Sequence, residues 1–286
     1  MIITKTIAQL KLEKQKLVSN NSIKLPNQKL ALVPTMGALH AGHLALVKKA
    51  KEIADFVVVS IFVNKTQFND LNDFNKYPRQ EESDLEKLKN AGVDLVFLPN
   101  SAEIFADDFA FKIIPTKLVD CLCGSTRLNH FDGVALIVAK LFNIVQPNIA
   151  IFGQKDFQQL AIIKRMVRDL NFNIEIFSHP TLREKSGLAM SSRNQRLSES
   201  AVKKAGEIFR ILSEIRNLVK NSNQEINEIL NLKRQELIKL GFEKIDYLEI
   251  RNEENLQIVE KFDGQKSRIF IAAYLEQVRL IDNLEI

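Results

Sequence analysis

The sequence has 286 residues, of which 45% are apolar and 26% are charged, with a formal net charge of +5. A chain of this size and composition has a core of ordinary size, which excludes a small domain that depends on disulfides or a metal for its fold. The basic residues are scattered and form no long tract, which favours a solvated surface and predicts no nucleic-acid partner.

The first 180 or so residues alternate between strand and helix patterns. The N-terminal stretch MIITKTIAQLKLEK lacks the apolar run of a signal peptide. The pattern then predicts, in chain order, strand KLALVPT, helix GHLALVKKAKEIA, strand FVVVSIFV, helix SDLEKLKNAG, strand VDLVFLP and, after a loop-rich section, helix GVALIVAKLFNIV, strand IAIFG, helix KDFQQLAIIKRMVRDL and strand IEIFSHP. Continuous apolar strands separated by helices predict an α/β fold, a Rossmann-like parallel sheet with helices on both faces. Such sheets bind ligands beyond the carboxyl ends of their strands.

The composition changes near Thr181. Residues 198–240 have a helical pattern, and KIDYLEI, SRIFIAAYLE and VRLIDNLEI are predicted as short antiparallel strands. We therefore predict a Rossmann-like domain over residues 1–181 and a smaller C-terminal α+β domain over residues 182–286.

Two cysteines, Cys121 and Cys123, form a lone C-x-C. The chain has no second pair to complete a tetrahedral zinc site and no disulfide framework, so we predict reduced thiols. The richest apolar run, FVVVSIFV, is too short to span a bilayer. We therefore expect a cytoplasmic protein with no membrane partner.

Two histidines, His40 and His43, lie where the first predicted strand ends and its helix begins, with Gly37 and Gly42 beside them. A helix N-terminus presents N–H groups and partial positive charge, and glycine lets the backbone approach a phosphate. Two imidazoles there can donate hydrogen bonds to phosphoryl oxygens as negative charge builds up in a transition state. The alternative is one histidine that caps the helix and one that packs, but the pairing after a strand favours a nucleotide site.

The H-x-G-H pattern resembles the signature of the adenylyl-transferring superfamily, which includes class I aminoacyl-tRNA synthetases and nucleotidylyltransferases. Neither a P-loop nor a G-x-G-x-x-G pattern is present. Three further segments carry polar groups suited to phosphate or substrate. They are SIFVNKTQFNDLNDFNKYPR with Asn64, Gln67, Tyr77 and Arg79, FGQKDFQQL with Lys155, Asp156 and Gln159, and GLAMSSRNQRLS with Ser191, Ser192 and Arg193. Taken singly, these segments also fit an exposed loop, a surface lysine and a capped turn.

Together, these motifs resemble the pantoate–β-alanine ligase (pantothenate synthetase) family along nearly the whole chain. The resemblance implies condensation of (R)-pantoate with β-alanine, driven by cleavage of ATP to AMP and pyrophosphate through a pantoyl-adenylate intermediate. It also implies Mg²⁺ as a cofactor and a homodimer as the assembly.

The resemblance also implies a role for each matched residue. The resemblance assigns His43 as the catalytic residue. Residue chemistry adds His40, Lys155 and Arg193 to the catalytic residues, because they can neutralise charge as pyrophosphate leaves. The ATP-binding residues are Met36, Gly37, Ala38, Leu39, His40, Ala41, Gly42, His43, Gly153, Gln154, Lys155, Asp156, Leu182, Met190, Ser191, Ser192 and Arg193. Gln67 and Gln159 bind pantoate, and Gln67 also binds β-alanine. Neutral amides suit this task because a strong ion pair would dampen the nucleophilicity of the pantoate carboxylate.

The chain departs from the family pattern beside matched residues. The family usually has proline where this chain has Lys65, proline and glycine where it has Leu128 and Asn129, and aspartate where it has Ser186. These departures affect loop rigidity rather than the reaction. Magnesium in such sites is held largely by phosphates with one or two carboxylates. Asp84 is a candidate magnesium ligand, with a solvated helix residue as the alternative.

Other functions fit part of the sequence. A nucleotidylyltransferase would share the histidine signature, but it gives no reason for Gln67 and FGQKDFQQL together. A tRNA-acylating enzyme would need an anticodon-binding region and a lysine-rich second signature, which MSSRN only partly imitates. A regulatory nucleotide-binding protein without turnover would not need His43, Lys155 and Arg193.

Overall fold

The structure is a computed structural model that describes residues 1–19, 28–222 and 224–286. Its strands are β1 (Ile2–Thr4), β2 (Leu30–Thr35), β3 (Phe56–Ile61), β4 (Leu95–Phe97), β5 (Ile149–Gly153), β6 (Glu175–His179), β7 (Lys244–Asn252), β8 (Ser267–Leu275) and β9 (Val278–Glu285). Its α-helices are α1 (Ile7–Ser19), α2 (Ala41–Ile53), α3 (Leu71–Asn75), α4 (Glu81–Asn90), α5 (Ser101–Ile104), α6 (Leu122–Thr126), α7 (His130–Val145), α8 (Phe157–Asp169), α9 (Glu199–Ala205), α10 (Glu207–Asn221) and α11 (Ile226–Lys239). Short 3₁₀ turns cover Lys65–Gln67, Gln154–Asp156 and Ser192–Arg196.

Six strands form one parallel sheet in the order β1-β4-β3-β2-β5-β6. Residues 30–35 of β2 pair in register with residues 56–61 of β3, and β5 pairs with the other side of β2. Strands of a parallel sheet are buried on both faces, which explains the near-continuous apolar runs of the sequence. The observed sheet confirms the predicted α/β, Rossmann-like class.

Helices cover both faces of this sheet, as predicted. One face packs on α2 and α4 in a core of buried side chains that includes Val33, Val47, Val59, Leu88 and Ile151. The connections from β2 to β3 and from β4 to β5 run in opposite directions across the sheet. Because such crossovers are right-handed, they place α7 on the face opposite α2.

The helix α7 is the most apolar of the described helices and is buried on almost every side. It has 16 residues, fewer than the roughly 20 that a membrane-spanning helix needs. No helix within the described ranges is long and apolar enough to cross a membrane.

The parallel sheet has a switch in strand order at β2, whose neighbours are β3 and β5. The chain leaves β2 toward β3 on one side and later reaches the other side at β5. Turns that leave neighbouring strands in opposite directions open a crevice at the carboxyl end of a sheet, where ligands of such folds bind. Residues 36–40, which lead from β2 into α2 and are called the histidine turn below, follow β2. Gly153 is the last residue of β5.

The C-terminal strands form an antiparallel sheet in the order β7-β8-β9. The central strand β8 is buried along almost its whole length. The helices α10 and α11 pack on this sheet in a core that includes Ile211, Ile215, Leu237, Leu248 and Ile271. These elements confirm the smaller α+β part that the sequence predicts.

The chain divides into two compact units. The first comprises residues 1–116, 127–154 and 162–180, and the second comprises residues 117–126, 155–161 and 181–286. The chain passes from the first unit to the second for the last time between Pro180 and Thr181, beside the change in composition near Thr181. Residues 117–126 and 155–161 belong to the second unit together with the C-terminal residues. The predicted single boundary after residue 181 does not include these two segments.

Candidate active site

The helix α2 begins with a reciprocal cap made by two histidines. His40 is the N-cap residue, and its Nδ1 accepts the N–H of Gly42 at 3.2 Å. The Nδ1 of His43 accepts the N–H of His40 at 3.4 Å, and the two ring centroids lie 4.1 Å apart. A neutral imidazole whose Nδ1 accepts a hydrogen bond carries its proton on Nε2. Both rings therefore present Nε2–H as a donor.

Helix capping and phosphate binding do not compete at this pair. The sequence left open whether one histidine only caps the helix, and His40 does cap it. The cap uses Nδ1, however, and it fixes the tautomer in which Nε2 is the donor. Both side chains are half-buried at the N-terminus of α2, where the helix dipole favours an anion.

The turn between β2 and α2 has two consecutive residues with positive φ, Gly37 at +77° and Ala38 at +49°. A Cβ on Gly37 would lie 3.1 Å from an oxygen of Asp84, so glycine suits both the conformation and the space. Asp84 accepts the N–H of Ala38 through Oδ2 and the N–H of Leu39 through Oδ1, each at 2.7 Å. Lys87 donates to the carbonyl of Leu39 at 2.8 Å. The histidine turn is therefore held by side chains of α4.

Asp84 does not occupy the solvated position that the sequence left open for it, since it is only 1% exposed. Its burial is compensated by the two backbone N–H groups and by Lys87, whose Nζ lies 3.9 Å from Oδ1. Both oxygens thus already act as acceptors within the protein. The magnesium role of Asp84 stays a prediction, and these contacts assign the carboxylate to the turn instead.

The side chain of Gln67 lies beside the start of the histidine turn. Its Nε2 is 2.8 Å from the sulfur of Met36, and its Oε1 accepts a hydrogen bond from Asn64 at 3.2 Å. Asn64 is buried and also donates to the carbonyl of Gly133 on α7 at 3.0 Å. A Cβ on Gly133 would lie 2.3 Å from the carbonyl oxygen of Thr66, so only glycine allows α7 to approach this turn. The structure thus brings two predicted segments, at Met36 and Gln67, together.

The backbone carbonyl of Gln67 is held from the start of α7. Nδ1 of His130 lies 2.7 Å from this oxygen, and Nη2 of Arg127 donates to it at 3.2 Å. Nη1 of Arg127 lies 3.0 Å from Nε2 of His130, so the imidazole accepts through Nε2 and donates through Nδ1. The sequence pattern marks Leu128 and Asn129 only as departures from the family, and the support that the flanking Arg127 and His130 give to Gln67 was missed.

Two departures from the family pattern are accommodated locally. Where proline is usual, Lys65 lies in a turn held by Asn64, whose Oδ1 accepts both the N–H and the hydroxyl of Thr66. Where glycine is usual, Asn129 adopts φ +61° at the N-cap of α7, a conformation that asparagine tolerates better than most residues. The carbonyl of Leu128, which is exposed, accepts a hydrogen bond from Asn69.

The end of β5 provides a second approach to the crevice beside β2. Gly153 is the last residue of β5 and pairs with His179 of β6. No atom lies within 4 Å of the position that a Cβ on Gly153 would take, so the backbone there is open to a ligand. Gln154 follows and donates to the hydroxyl of Ser178 at 3.2 Å. These residues and the histidine turn belong to the first unit.

The remaining predicted residues belong to the second unit. Lys155 and Asp156 complete a 3₁₀ turn, and Gln159 lies in the first turn of α8. The carbonyl of Lys155 accepts a hydrogen bond from Asn283 at 2.8 Å. The backbone that carries the predicted phosphate-binding lysine is therefore tied to β9.

The first turn of α8 is anchored by Gln158, which is 5% exposed. Its Oε1 accepts the N–H of Cys123 at 2.9 Å, and its Nε2 donates to the carbonyls of Leu118 and Cys121 at 2.8 Å. Both cysteines are free and buried. Burial raises the pKa of Cys121 to about 11, so this thiol stays protonated at neutral pH and is not a nucleophile.

Residues 182–193 form a short hairpin that continues into a 3₁₀ turn. The N–H of Met190 donates to the carbonyl of Leu182 at 2.9 Å, which closes the base of the hairpin. Ser191 caps the following turn by accepting the N–H of Arg193 at 3.3 Å. The predicted capped turn is thus present, and it carries the predicted phosphate-binding residues.

The tip of this hairpin contains a third departure from the family pattern. Where aspartate is usual, the hydroxyl of Ser186 accepts the N–H of Leu188 at 3.4 Å. Gly187 has φ +92°, a conformation that suits glycine at the turn. The hydroxyl of Ser186 therefore supports the turn as an acceptor.

The described residues contain no group of three or more His, Cys, Asp or Glu side chains that could hold a metal ion. Within these ranges, the protein therefore does not offer a metal cage of its own. The histidine donors at the start of α2 suit an anion instead.

Known proteins are similar to this chain in sequence and in fold. A family model described as Pantoate-beta-alanine ligase matches residues 3–285. The pantothenate synthetase of Psychrobacter sp. (strain PRwf-1) is 46% identical over 266 residues, which cover 91% of this chain and 92% of that protein. The pantothenate synthetase of Thermosipho africanus (strain TCF52B) is 44% identical over 274 residues, which cover 96% and 98%.

Solved structures extend the similarity to the fold. The pantothenate synthetase of Thermus thermophilus matches with a TM-score of 0.90 and 40% identity over 99% of each chain. A pantoate-beta-alanine ligase from Francisella tularensis matches with a TM-score of 0.81 and 38% identity over 99% of this chain and 97% of that one. The latter was solved in complex with beta-gamma ATP and beta-alanine.

Proposed function

This chain belongs to the pantoate–β-alanine ligase family, and we propose that its described residues carry out the reaction of that family in two chemical steps. The protein is an enzyme that condenses pantoate with β-alanine to pantothenate and consumes ATP. In the first step, the carboxylate of pantoate attacks the α-phosphorus of ATP, which forms pantoyl adenylate and releases pyrophosphate. In the second, the amine of β-alanine attacks the acyl carbon and AMP leaves.

The histidine pair at the start of α2 is the observation that carries this proposal. Because backbone N–H groups occupy Nδ1 of both His40 and His43, each ring has its Nε2–H as the donor. Donors held in place by the backbone stabilise charge on phosphoryl oxygens without first having to reorganise. We assign His43 to the phosphoryl group from which pyrophosphate departs, with His40 as a second donor.

Charged donors of the second unit are further proposed ATP-binding residues. Lys155 contributes a mobile point charge, and Arg193 contributes a planar fork that fits phosphate oxygens. Ser191 and Ser192 add hydroxyl donors. The other proposed ATP-binding residues are Met36, Gly37, Ala38, Leu39, Ala41, Gly42, Gly153, Gln154, Asp156, Leu182 and Met190.

Gln67 and Gln159 are the proposed pantoate-binding residues. A neutral amide holds carboxylate and hydroxyl oxygens without the ion pair that would dampen the nucleophile. Gln67 is suited to this because the 3₁₀ turn that carries it is fixed by Asn64, His130 and Arg127. We assign Gln67 to β-alanine as well.

Exclusion of water is the remaining requirement, because a mixed anhydride such as pantoyl adenylate hydrolyses readily. We propose that residues 182–286 act as a lid during the reaction. This assignment follows from the sequence and the family resemblance.

Three further properties complete the proposal. Mg²⁺ neutralises phosphate charge, and we propose that ATP itself provides most of its ligands. The assembly is a homodimer, a property that rests on the family resemblance and that sedimentation analysis tests. The location is the cytoplasm, which suits the free thiols of Cys121 and Cys123.

Isotope exchange tests the proposed chemistry. With pantoate present and β-alanine absent, the protein is expected to exchange labelled pyrophosphate into ATP, because adenylation is reversible before the amine takes part. A ligase that attacks the γ-phosphorus makes an acyl phosphate and ADP, and it shows no such exchange. ADP as the product, equal exchange without pantoate, or a requirement for β-alanine would each refute the proposal.

Replacing Gln67 with glutamate is expected to raise the KM for pantoate by roughly 100-fold and that for ATP by far less. Two like charges about 6 Å apart repel by about 3 kcal/mol at an effective dielectric constant of 20. Gln257→Glu, an exposed site in the second unit, makes the same charge change as a control. Separate titration of the two substrates measures the effect, and an equal loss for both would remove Gln67 from the pantoate site.

A further inference from the structure

We propose that Asp282 and Asn283, adjacent residues on the edge strand β9, are positioning residues for ATP that hold Lys155 and the hairpin of residues 182–193 in a fixed relation. The inference rests on the proposed function, which assigns both of these segments to ATP. The sequence predicts only a strand at this position. The contacts that support the proposal join residues far apart in the chain, so no local sequence pattern shows them.

Asp282 ties the hairpin to β9. Its two carboxylate oxygens accept hydrogen bonds from the guanidinium of Arg183 at 2.5 and 3.0 Å, and Oδ1 also accepts the N–H of Asn283 at 2.8 Å. Arg183 donates in addition to the carbonyl of Gly187 at 3.1 Å and lies 3.8 Å from the ring centroid of Phe209. One buried carboxylate therefore fixes, through one arginine, both the base and the tip of the hairpin.

Asn283 ties the turn that carries Lys155. Its Nδ2 donates to the carbonyl of Lys155 at 2.8 Å, and its Oδ1 accepts a hydrogen bond from Arg268 at 2.8 Å. Arg268 is itself held by Glu253 at 2.8 Å and stacks 4.3 Å from the ring centroid of Phe157. Asn283 is 3% exposed, so water does not readily replace these bonds. The amide thus fixes the backbone from which the lysine side chain extends.

Asp282 interacts with positive charges from both segments, Arg183 from the hairpin and Lys155 from the 3₁₀ turn. Burial raises the pKa of Asp282, and the positive charges of Arg183 and then Lys155 act in the opposite direction. The carboxylate is therefore influenced by a cation from each ATP-binding segment. Because neighbouring residues of a strand are only about 3.4 Å apart, one short piece of β9 sets the positions of both segments.

The test measures pantoate-dependent pyrophosphate exchange in the unaltered protein and in four variants. These are Asp282→Asn, Asn283→Asp, Arg183→Met and the double variant Arg183→Met with Asp282→Asn. In each variant the KM for ATP is expected to rise by roughly 10- to 100-fold, since a displaced lysine or hairpin loses a charge-assisted hydrogen bond to phosphate, which is worth about that much in affinity. The KM for pantoate is expected to stay within about twofold.

The double variant separates positioning from stability. Arg183→Met alone leaves a buried carboxylate without its ion-pair partner, whereas the double variant removes both charges and is expected to regain much of the lost thermal stability. Its KM for ATP is expected to stay raised, because the tie to the Gly187 carbonyl is still missing. Leu237→Ala, in the core of the second unit, is the control that lowers stability without raising the KM for ATP.

The outcomes distinguish this inference from the proposed function. Absence of exchange in the unaltered protein refutes the proposed function. Exchange in the unaltered protein, with an unchanged KM for ATP in Asp282→Asn and Asn283→Asp, overturns the positioning role alone. A KM for ATP that recovers together with stability in the double variant also overturns it. Asn283→Asp keeps the acceptor for Arg268. This variant therefore tests the positioning role even if Asp282→Asn does not fold.

Discussion

Replacing Asp84 with alanine is expected to lower the free energy of unfolding by roughly 2 to 6 kcal/mol and to abolish most adenylation. The carboxylate accepts the N–H groups of Ala38 and Leu39 at 2.7 Å in a buried site. Removing an acceptor from a buried donor costs about 1 to 3 kcal/mol for each donor. Activity is expected to fall as well, because the same turn sets where His40 and His43 begin α2.

Two companion variants make the Asp84 result specific. Asp84→Asn keeps one acceptor oxygen and is expected to lose less stability than Asp84→Ala. Glu86→Ala, exposed on the same helix, is expected to stay within about 0.5 kcal/mol of the unaltered protein. Urea unfolding measures stability, and pantoate-dependent exchange measures activity. Unchanged stability with an altered dependence on Mg²⁺ would instead assign Asp84 to the metal.

The parallel sheet could be predicted because its central strands carry a strong local signal. β2, β3 and β5 each begin with four consecutive apolar residues, and this pattern is typical of strands buried on both faces. The position of the histidine turn then follows, because a turn after such a strand lies at the carboxyl end of the sheet. The predicted nucleotide site could therefore be assigned to this end of the sheet from the sequence alone.

The first strand and helix were not predicted. β1 has only three residues, Ile2–Thr4, and its place at the sheet edge depends on pairing with Leu95–Phe97 of β4. A three-residue run shows too little periodicity to be distinguished from a loop. Its pairing partner lies far along the chain, so no local signal could identify it.

The polar residues that support the site were also beyond local reasoning. Asp84 lies among exposed glutamates on α4, and nothing in that pattern shows that its oxygens meet the N–H groups of residues 38 and 39. Asn283 similarly occupies a strand and reaches the carbonyl of Lys155. Residue types predict which groups can act on ATP, whereas long-range hydrogen bonds decide which groups hold them in place.

Replacing His43 with alanine is expected to slow adenylation by roughly 100- to 1000-fold, the typical loss for one donor to a developing oxyanion. The side chain contributes one reciprocal bond to the cap of α2, so the free energy of unfolding is expected to fall by no more than about 1 kcal/mol. Lys48→Ala, on the exposed face of the same helix, removes a positive charge nearby and is the control for nonspecific electrostatics.

The kinetic constant that changes in His43→Ala, kcat or the KM for ATP, distinguishes a catalytic histidine from a structural one. Charge grows on the phosphoryl oxygens only as the bond to pyrophosphate breaks, so a donor aimed at that charge stabilises the transition state more than bound ATP. The loss is therefore expected in kcat, with the KM for ATP changed by far less. A histidine that served only as a cap would show the reverse, a fall in stability with near-normal turnover. Single-turnover adenylation, measured alongside urea unfolding of the same variant, separates the two, and near-normal adenylation in His43→Ala would contradict the assignment.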